Sequence, residues 1–261
     1  MHEPHPIPAL DSNYIWLLSG DGPEDRNAWV IDPGEAEPVE RYLEEQGFNL
    51  TGILITHHHW DHTNGLPELL KQHPVPVYGP DSVHSVTHPL SEGDRFSLAD
   101  ADWEVLAVPG HTVDHLAYLA RDRDQTRAFR LFCGDALFAG GCGRLFEGTP
   151  EMALASLHKL ASLPETTGVY CTHEYTVKNL QFALSVDRDN PAVQERLVRV
   201  KRLRETGRPS LPSNIALERQ TNPFLRSSDP AIRARLEAWS RRNLATEVDT
   251  FAELRRRKDQ A

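Results

Sequence analysis

"ILITHHHWDH", residues 53–62, runs from a branched apolar stretch directly into four histidines and an aspartate. The apolar part is strand-sized and bounded by polar residues, as expected of a buried strand. Side chains alternate along an extended chain. If the backbone stays extended, His57, His59 and Asp61 share one face, while His58 and Trp60 share the other. His58 is then expected to be structural. His62 joins the first set if a helix beginning near Asn64 turns it inward.

Similar polar residues close other apolar runs. His111 follows "WEVLAVPG", Asp135 follows "AFRLFCG" and His173 follows "GVYCT". Five histidines and two aspartates thus stand at the ends of four predicted strands, where loops of layered α/β folds converge on ligands. Imidazole and carboxylate without cysteine suit zinc, manganese or iron. Seven ligands exceed the needs of one tetrahedral ion and fit two. "NAWVIDPG" is another strand, ending at Asp32 and a Pro-Gly turn; "GLPELLKQH" reads as a short helix, and "VPVYGP" and "HLAYLA" as further strands. The pattern is α/β.

From about residue 175 the style changes. "VKNLQFALSV", "PAVQERLVRVKRLRETG" and "DPAIRARLEAWSRRNL" have helical apolar spacing, so residues 1–174 and 175–261 are expected to be separate domains, the second helical. Charge divides at the same place. The 261 residues carry a formal charge of −10. Residues 1–174 hold 10 basic and 27 acidic residues, whereas 175–261 hold 18 and 11. The basic segment reads either as a solvated helix face or as a site that catches an anionic substrate, and the acidic part would repel a nucleic-acid backbone. A hydrophobic content of 39% suits a soluble core, no run is long enough to span a membrane, and the opening "MHEPHPIPALDSNY" lacks the features of a secretory signal. A cytoplasmic chain is expected, and a monomer. The three cysteines have no CxxC spacing and are odd in number, so neither a cysteine zinc site nor a disulfide framework is suggested.

"THHHWDH" with "GHT" at 110–112, "CGD" at 133–135 and "THEYT" at 172–176 resembles the metallo-β-lactamase superfamily. Within it, "GGCGRLFEGT" at 140–149, "TNPFLR" at 221–226 and the closing "RRRKDQ" resemble the glyoxalase II, or hydroxyacylglutathione hydrolase, family. The likeness includes the opening "NYIWLL". It implies an αβ/βα sandwich with a C-terminal helical domain that binds the glutathione substrate. It also implies one ion on His57, His59 and His111, a second on Asp61, His62 and His173, and Asp135 bridging them. Asp61, His62 and Asp135 would be catalytic, and Asp32 would orient ligands. Arg144, Tyr175, Arg255 and Lys258 would contact glutathione. Three departures stand out: Phe146 replaces a frequent substrate-contacting tyrosine, Arg144 replaces a frequent lysine, and Asp114 stands where glycine is common. The implied reaction is hydrolysis of S-D-lactoylglutathione to a 2-hydroxy acid and glutathione, the second step of methylglyoxal detoxification. Water between two ions has its pKa lowered from ~15.7 toward ~7, so a bridging hydroxide can attack the thioester without a dedicated protein base. No GxSxG elbow is present to support a serine route. The rivals are a lactonase, a nuclease and a one-metal iron dioxygenase.

Overall fold

The chain first builds a six-stranded sheet, in order β1 (His5–Ala9), β2 (Asn13–Ser19), β3 (Asn27–Ile31), β4 (Asn49–Leu54), β5 (Val77–Gly79) and β6 (His88–Pro89). The computed structural model describes residues 1–20, 22, 24–123 and 129–261 and divides into two compact units, residues 1–107 with 114–134, and residues 108–113 with 135–261. The boundary expected from sequence style, 174/175, lies inside the second unit.

In the first unit, β1 to β3 are antiparallel neighbours, while β3, β4, β5 and β6 run parallel. Parallel neighbours need a crossover, usually a helix. Helix α1 (Glu37–Gln46) supplies it between β3 and β4, with Pro38 in its first turn and Gly47 as its left-handed cap at φ 69°. Its Val39 and Leu43 pack with Val30, Ile53, Leu66, Leu69 and Val77 into one core cluster. The quoted histidines follow β4. There the chain turns into the short helix α2 (Trp60–Thr63) and then α3 (Leu66–Gln72). A second set of antiparallel strands comprises β7 (Arg95–Leu98), β8 (Ala101–Ala107), β9 (Leu116–Asp122) and β10 (Arg130–Gly134). It meets the first sheet at the strand ends, where the Tyr118 hydroxyl donates to the Ile55 carbonyl and the Leu116 N–H to the Thr56 carbonyl. Trp103 and Phe132 stack beneath it, ring centroids 5.4 Å apart.

The second unit holds the hairpin β11 (Leu137–Phe138) and β12 (Gly141–Cys142), α4 (Pro150–Ala161), β13 (Gly168–Cys171), α5 (Thr176–Val186), α6 (Pro191–Glu205), β14 (Ser213–Asn214), α7 (Ile215–Thr221), α8 (Pro230–Ser240) and α9 (Glu247–Lys258). Four of its helices begin on a side-chain cap followed by proline or a capping box: Thr149, Asn190, Asp229 and Thr246 each accept from a first-turn N–H. The hairpin is held from below. Asn222 donates to the Phe138 and Gly141 carbonyls, and Glu218 accepts from the Gly140 N–H at 2.8 Å.

Candidate active site

Asp32, one residue beyond β3, is the anchor of the first unit's cluster. Its backbone is left-handed at φ 54°, a region where aspartate is tolerated better than most residues. One carboxylate oxygen accepts the Thr56 N–H at 2.7 Å; the other accepts the Thr56 hydroxyl at 2.7 Å and His62 Nδ1 at 2.9 Å. A carboxylate only accepts here, so His62 carries a proton on Nδ1, and the neutral ring presents Nε2 as a lone pair. The same logic extends to His57. The Thr56 hydroxyl has spent its hydrogen on Asp32, so toward His57 Nδ1, 3.0 Å away, it accepts. His57 therefore also presents a bare Nε2, which lies 3.0 Å from His59 Nδ1. Bonds of ~2.0–2.1 Å to one tetrahedral zinc would set two nitrogens about 3.3 Å apart.

Asp61 and His62 do not follow the extended alternation. Helix α2 begins at Trp60, capped by His59, and the Thr63 hydroxyl donates to the His59 carbonyl at 3.0 Å. The turn starts well before Asn64, so it, rather than strand parity, places both residues. Asp61 Oδ2 lies 3.6 Å from His62 Nε2, and Asn13 donates to the Asp61 carbonyl and carboxylate at 3.1 and 3.3 Å. Trp60 is 66% exposed. His58 turns toward Asp114 at 3.4 Å, an aspartate that also accepts from Ser82. The pairing gives Asp114 a structural role.

The second unit carries its own cluster. His111 Nδ1 lies 2.7 Å from the Arg144 carbonyl, which can only accept, so this ring too offers a bare Nε2. That nitrogen is 3.5 Å from Asp135 Oδ2, while His173 Nε2 is 3.3 Å from Asp135 Oδ1. One carboxylate thus turns an oxygen to each of two buried histidines. Gly143 is fixed by close approach, since a Cβ there would fall onto the Asp135 carbonyl and within 2.9 Å of His111 Nδ1.

Around this cluster lie the residues expected to meet glutathione. Tyr175 stacks on His173, ring centroids 4.6 Å apart and 2° from parallel, with Phe138 edge-on to both. Phe146 stands edge-on to His111 at 5.3 Å and is exposed. Arg255 is buried, its Nη1 donating to the Cys142 carbonyl at 2.8 Å and its guanidinium over the Phe224 ring. Lys258 Nζ sits 5.6 Å from the Phe182 ring centroid. Burial pulls its pKa down, the charges of Arg255, Lys178 and Arg144 add to the effect, and Asp259 opposes it. Burial pushes the Cys142 and Cys171 thiols up, which disfavours a thiolate nucleophile.

Comparison with known proteins decides the family. The metallo-beta-lactamase superfamily profile matches residues 11–173, and the hydroxyacylglutathione hydrolase C-terminus profile matches residues 174–261. A hydroxyacylglutathione hydrolase of Alkalilimnicola ehrlichii is 53% identical over 98% of both chains, and one of Hahella chejuensis is 49% identical over 99% of both. The chain belongs to the hydroxyacylglutathione hydrolase (glyoxalase II) family. Among solved structures, ETHE1 from Myxococcus xanthus is 29% identical over 82% of this chain and 79% of that one, with a TM-score of 0.60. The B3 metallo-beta-lactamase BLEG-1 is 22% identical over 86% of this chain and 99% of that one, with a TM-score of 0.62, a likeness of fold. The fold is the metallo-β-lactamase fold with the family's C-terminal domain, and the protein is an enzyme of a metallo-hydrolase family.

For a member of this family, the histidine and carboxylate clusters of the two units are suited to divalent metal: in both, imidazole Nδ1 protons are committed to protein acceptors, as is usual for metal-ligating histidines. Sequence reasoning left two contributors unassigned. Thr56 fixes the His57 tautomer, and buried His115 stacks on His57 with centroids 4.6 Å apart. "HTVDH" carried the signal for His115; Thr56 had none beyond standing between the strand and the histidines.

Proposed function

We propose that this enzyme hydrolyses 2-hydroxyacylglutathione thioesters, S-D-lactoylglutathione foremost, to a 2-hydroxy acid and glutathione, the second step of methylglyoxal detoxification. The observation that carries the reading is the shared placement of His57, His62 and His111, each with Nδ1 against a protein oxygen. In the neutral ring that oxygen holds the Nδ1 proton, leaving Nε2 as a metal-ready donor.

The donor set fits two divalent ions, whether zinc, iron or manganese. His57, His59 and His111 would hold one, and Asp61, His62 and His173 the other. Asp135 would be shared. Ions bound there supply Lewis acidity, lowering the pKa of water toward ~7 and polarising the thioester carbonyl. The chain's own residues do the rest. Asp32 and Thr56 keep the proton on Nδ1 of His62 and His57, and the Arg144 carbonyl does so for His111. Asp61, His62 and Asp135 face the reacting atoms. Arg144, Tyr175, Arg255 and Lys258 bind the glutathione moiety, whose two carboxylates and one ammonium leave it net negative. Across the reaction the C–S bond breaks, the oxygen of water enters the carboxylate, and sulfur leaves as thiolate to be protonated. In this reading residues 1–174 are the catalytic domain and 175–261 the glutathione-binding domain. No described helix is long and apolar enough to cross a membrane. A cytoplasmic monomer without a nucleic-acid or membrane partner completes the proposal.

The test is hydrolysis of S-D-lactoylglutathione beside a simple lactone and a glutathione-free thioester, with elemental analysis of the active protein. The glutathione thioester should be strongly preferred, with two metal ions per chain. Preference for the lactone, or full activity with one ion, would overturn the substrate or the two-metal part respectively.

A further inference from the structure

At the end of α9 one oxygen serves two arginines. Asp259 Oδ1 accepts from Arg255 Nε at 3.1 Å and Nη2 at 2.8 Å, and the same oxygen lies 3.3 Å from Arg144 Nε. The two guanidinia differ in how well they are otherwise held. Arg255 is 6% exposed, bonded to the Cys142 carbonyl and packed on Phe224. Arg144, whose side chain is 59% exposed, projects from the loop after β12. A long exposed side chain loses rotamer freedom when a ligand orders it. A carboxylate that has already ordered it removes that loss from the binding step.

Resting on the substrate reading above, we propose that Asp259 is a positioning residue for the glutathione half of the substrate, holding Arg144 against the fixed Arg255 so that the pair meets the incoming anion preformed. The negative charge of Asp259 acts in the opposite direction, since it repels that anion. Geometry and charge can be separated because all three contacts use one oxygen. Asp259→Asn keeps an Oδ1 acceptor and removes the charge; Asp259→Ala removes both.

Ordering a rotamer-rich side chain corresponds to about three- to tenfold in binding. Asp259→Ala should therefore raise KM for S-D-lactoylglutathione about three- to tenfold with kcat within about twofold. KM for a glutathione-free thioester should stay unchanged. Asp259→Asn should return KM to the wild-type value or below it. Binding of non-hydrolysable S-methylglutathione by calorimetry should weaken in the Ala variant and recover in the Asn variant. This second measurement separates the two claims: wild type that binds S-methylglutathione but leaves the thioester intact defeats the proposed reaction and still tests Asp259. The positioning role is overturned if Asp259→Ala leaves affinity unchanged or improves it, if both variants lose equally, or if the glutathione-free thioester suffers as much.

Discussion

At the residue scale the site depends on protons that no ligand list mentions. Asp32 accepts from Thr56 and His62, and through the Thr56 hydroxyl it also dictates where His57 keeps its proton. Asp32→Asn is the informative substitution, because asparagine tolerates the left-handed backbone while its amide cannot accept from every donor present. Loss of such an orienting partner typically costs 10–100-fold in metal affinity, and a chelator competition should show a drop of about that size; unchanged affinity would remove Asp32 from the orienting role. A second prediction separates adjacent histidines. His58 is half-exposed against Asp114, whereas His59 Nδ1 lies 3.0 Å from His57 Nε2. His58→Ala should keep its bound metal and His59→Ala should lose it, by elemental analysis after dialysis. The cluster itself was legible because HxHxDH is a local pattern: one strand end gathers four side chains that could hold a metal. What alternation could not deliver was the placement of Asp61 and His62. Helix α2 starts at Trp60, and the strand period of two stops applying there.

At the element scale, the supports of the 138–144 segment were invisible in sequence. Arg196 on α6 and Glu218 on α7 are both buried, with Nη2 2.5 Å from Oε1, and Glu218 also accepts from the Gly140 N–H and from Asn222. Among so many charges in the helical region, nothing marks these two, since burial depends on contacts between segments distant in sequence. Helix α9 was readable in principle. Thr246 and Asp249 form a capping box just ahead of the basic tail that could pass for a frayed end. Gly34, in contrast, was read correctly as a turn residue for an incomplete reason: a Cβ there would fall onto the Asp61 carbonyl, so close approach excludes any side chain. Removing one partner of a buried ion pair leaves the other uncompensated and costs about 3–5 kcal/mol. Glu218→Ala should lower the unfolding free energy by about that amount in denaturant titration, and the paired change Arg196→Met with Glu218→Leu should recover only part of it, because the Gly140 N–H and the Asn222 amide still lose that acceptor. A loss under about 1 kcal/mol for the single variant would show that the network contributes little.

At the scale of the whole molecule, composition and compactness draw different lines. Charge and helical spacing change at 174/175, while residues 108–113 group with 135–261. The reason is non-local. The Gly110 carbonyl accepts from Gly148, the His111 carbonyl from Phe146, and a Cβ on Gly110 would meet Ala153 at 2.8 Å. No window of sequence reports such contacts. The charge asymmetry was legible, and it acts through short range. Screening at 0.1 M salt confines exposed charges to about 10 Å, so a net-negative glutathione thioester responds to the nearest cations more than to the −10 of the chain. Of the three cations assigned to glutathione, Arg144, Arg255 and Lys258, the lysine is the one able to titrate, and Arg255, Asp259, Lys178 on α5 and Arg144 are the charges that act on it. Its pKa is lowered, mainly by burial, so it is charged below the lowered value and neutral above it. Substrate affinity should therefore be full on the acid side, and KM should climb as pH rises through that value, before the ~10.4 of an ordinary lysine. The α-ammonium of glutathione titrates in the same direction of pH, and the variants distinguish the two. Lys258→Met should raise KM about tenfold at neutral pH, the scale of one charge-assisted hydrogen bond, and should flatten the alkaline limb. Lys258→Arg, which stays charged, should move the limb out of range while keeping KM near wild type. Persistence of the same limb in Lys258→Met would assign it to the substrate and remove Lys258 from the glutathione contacts.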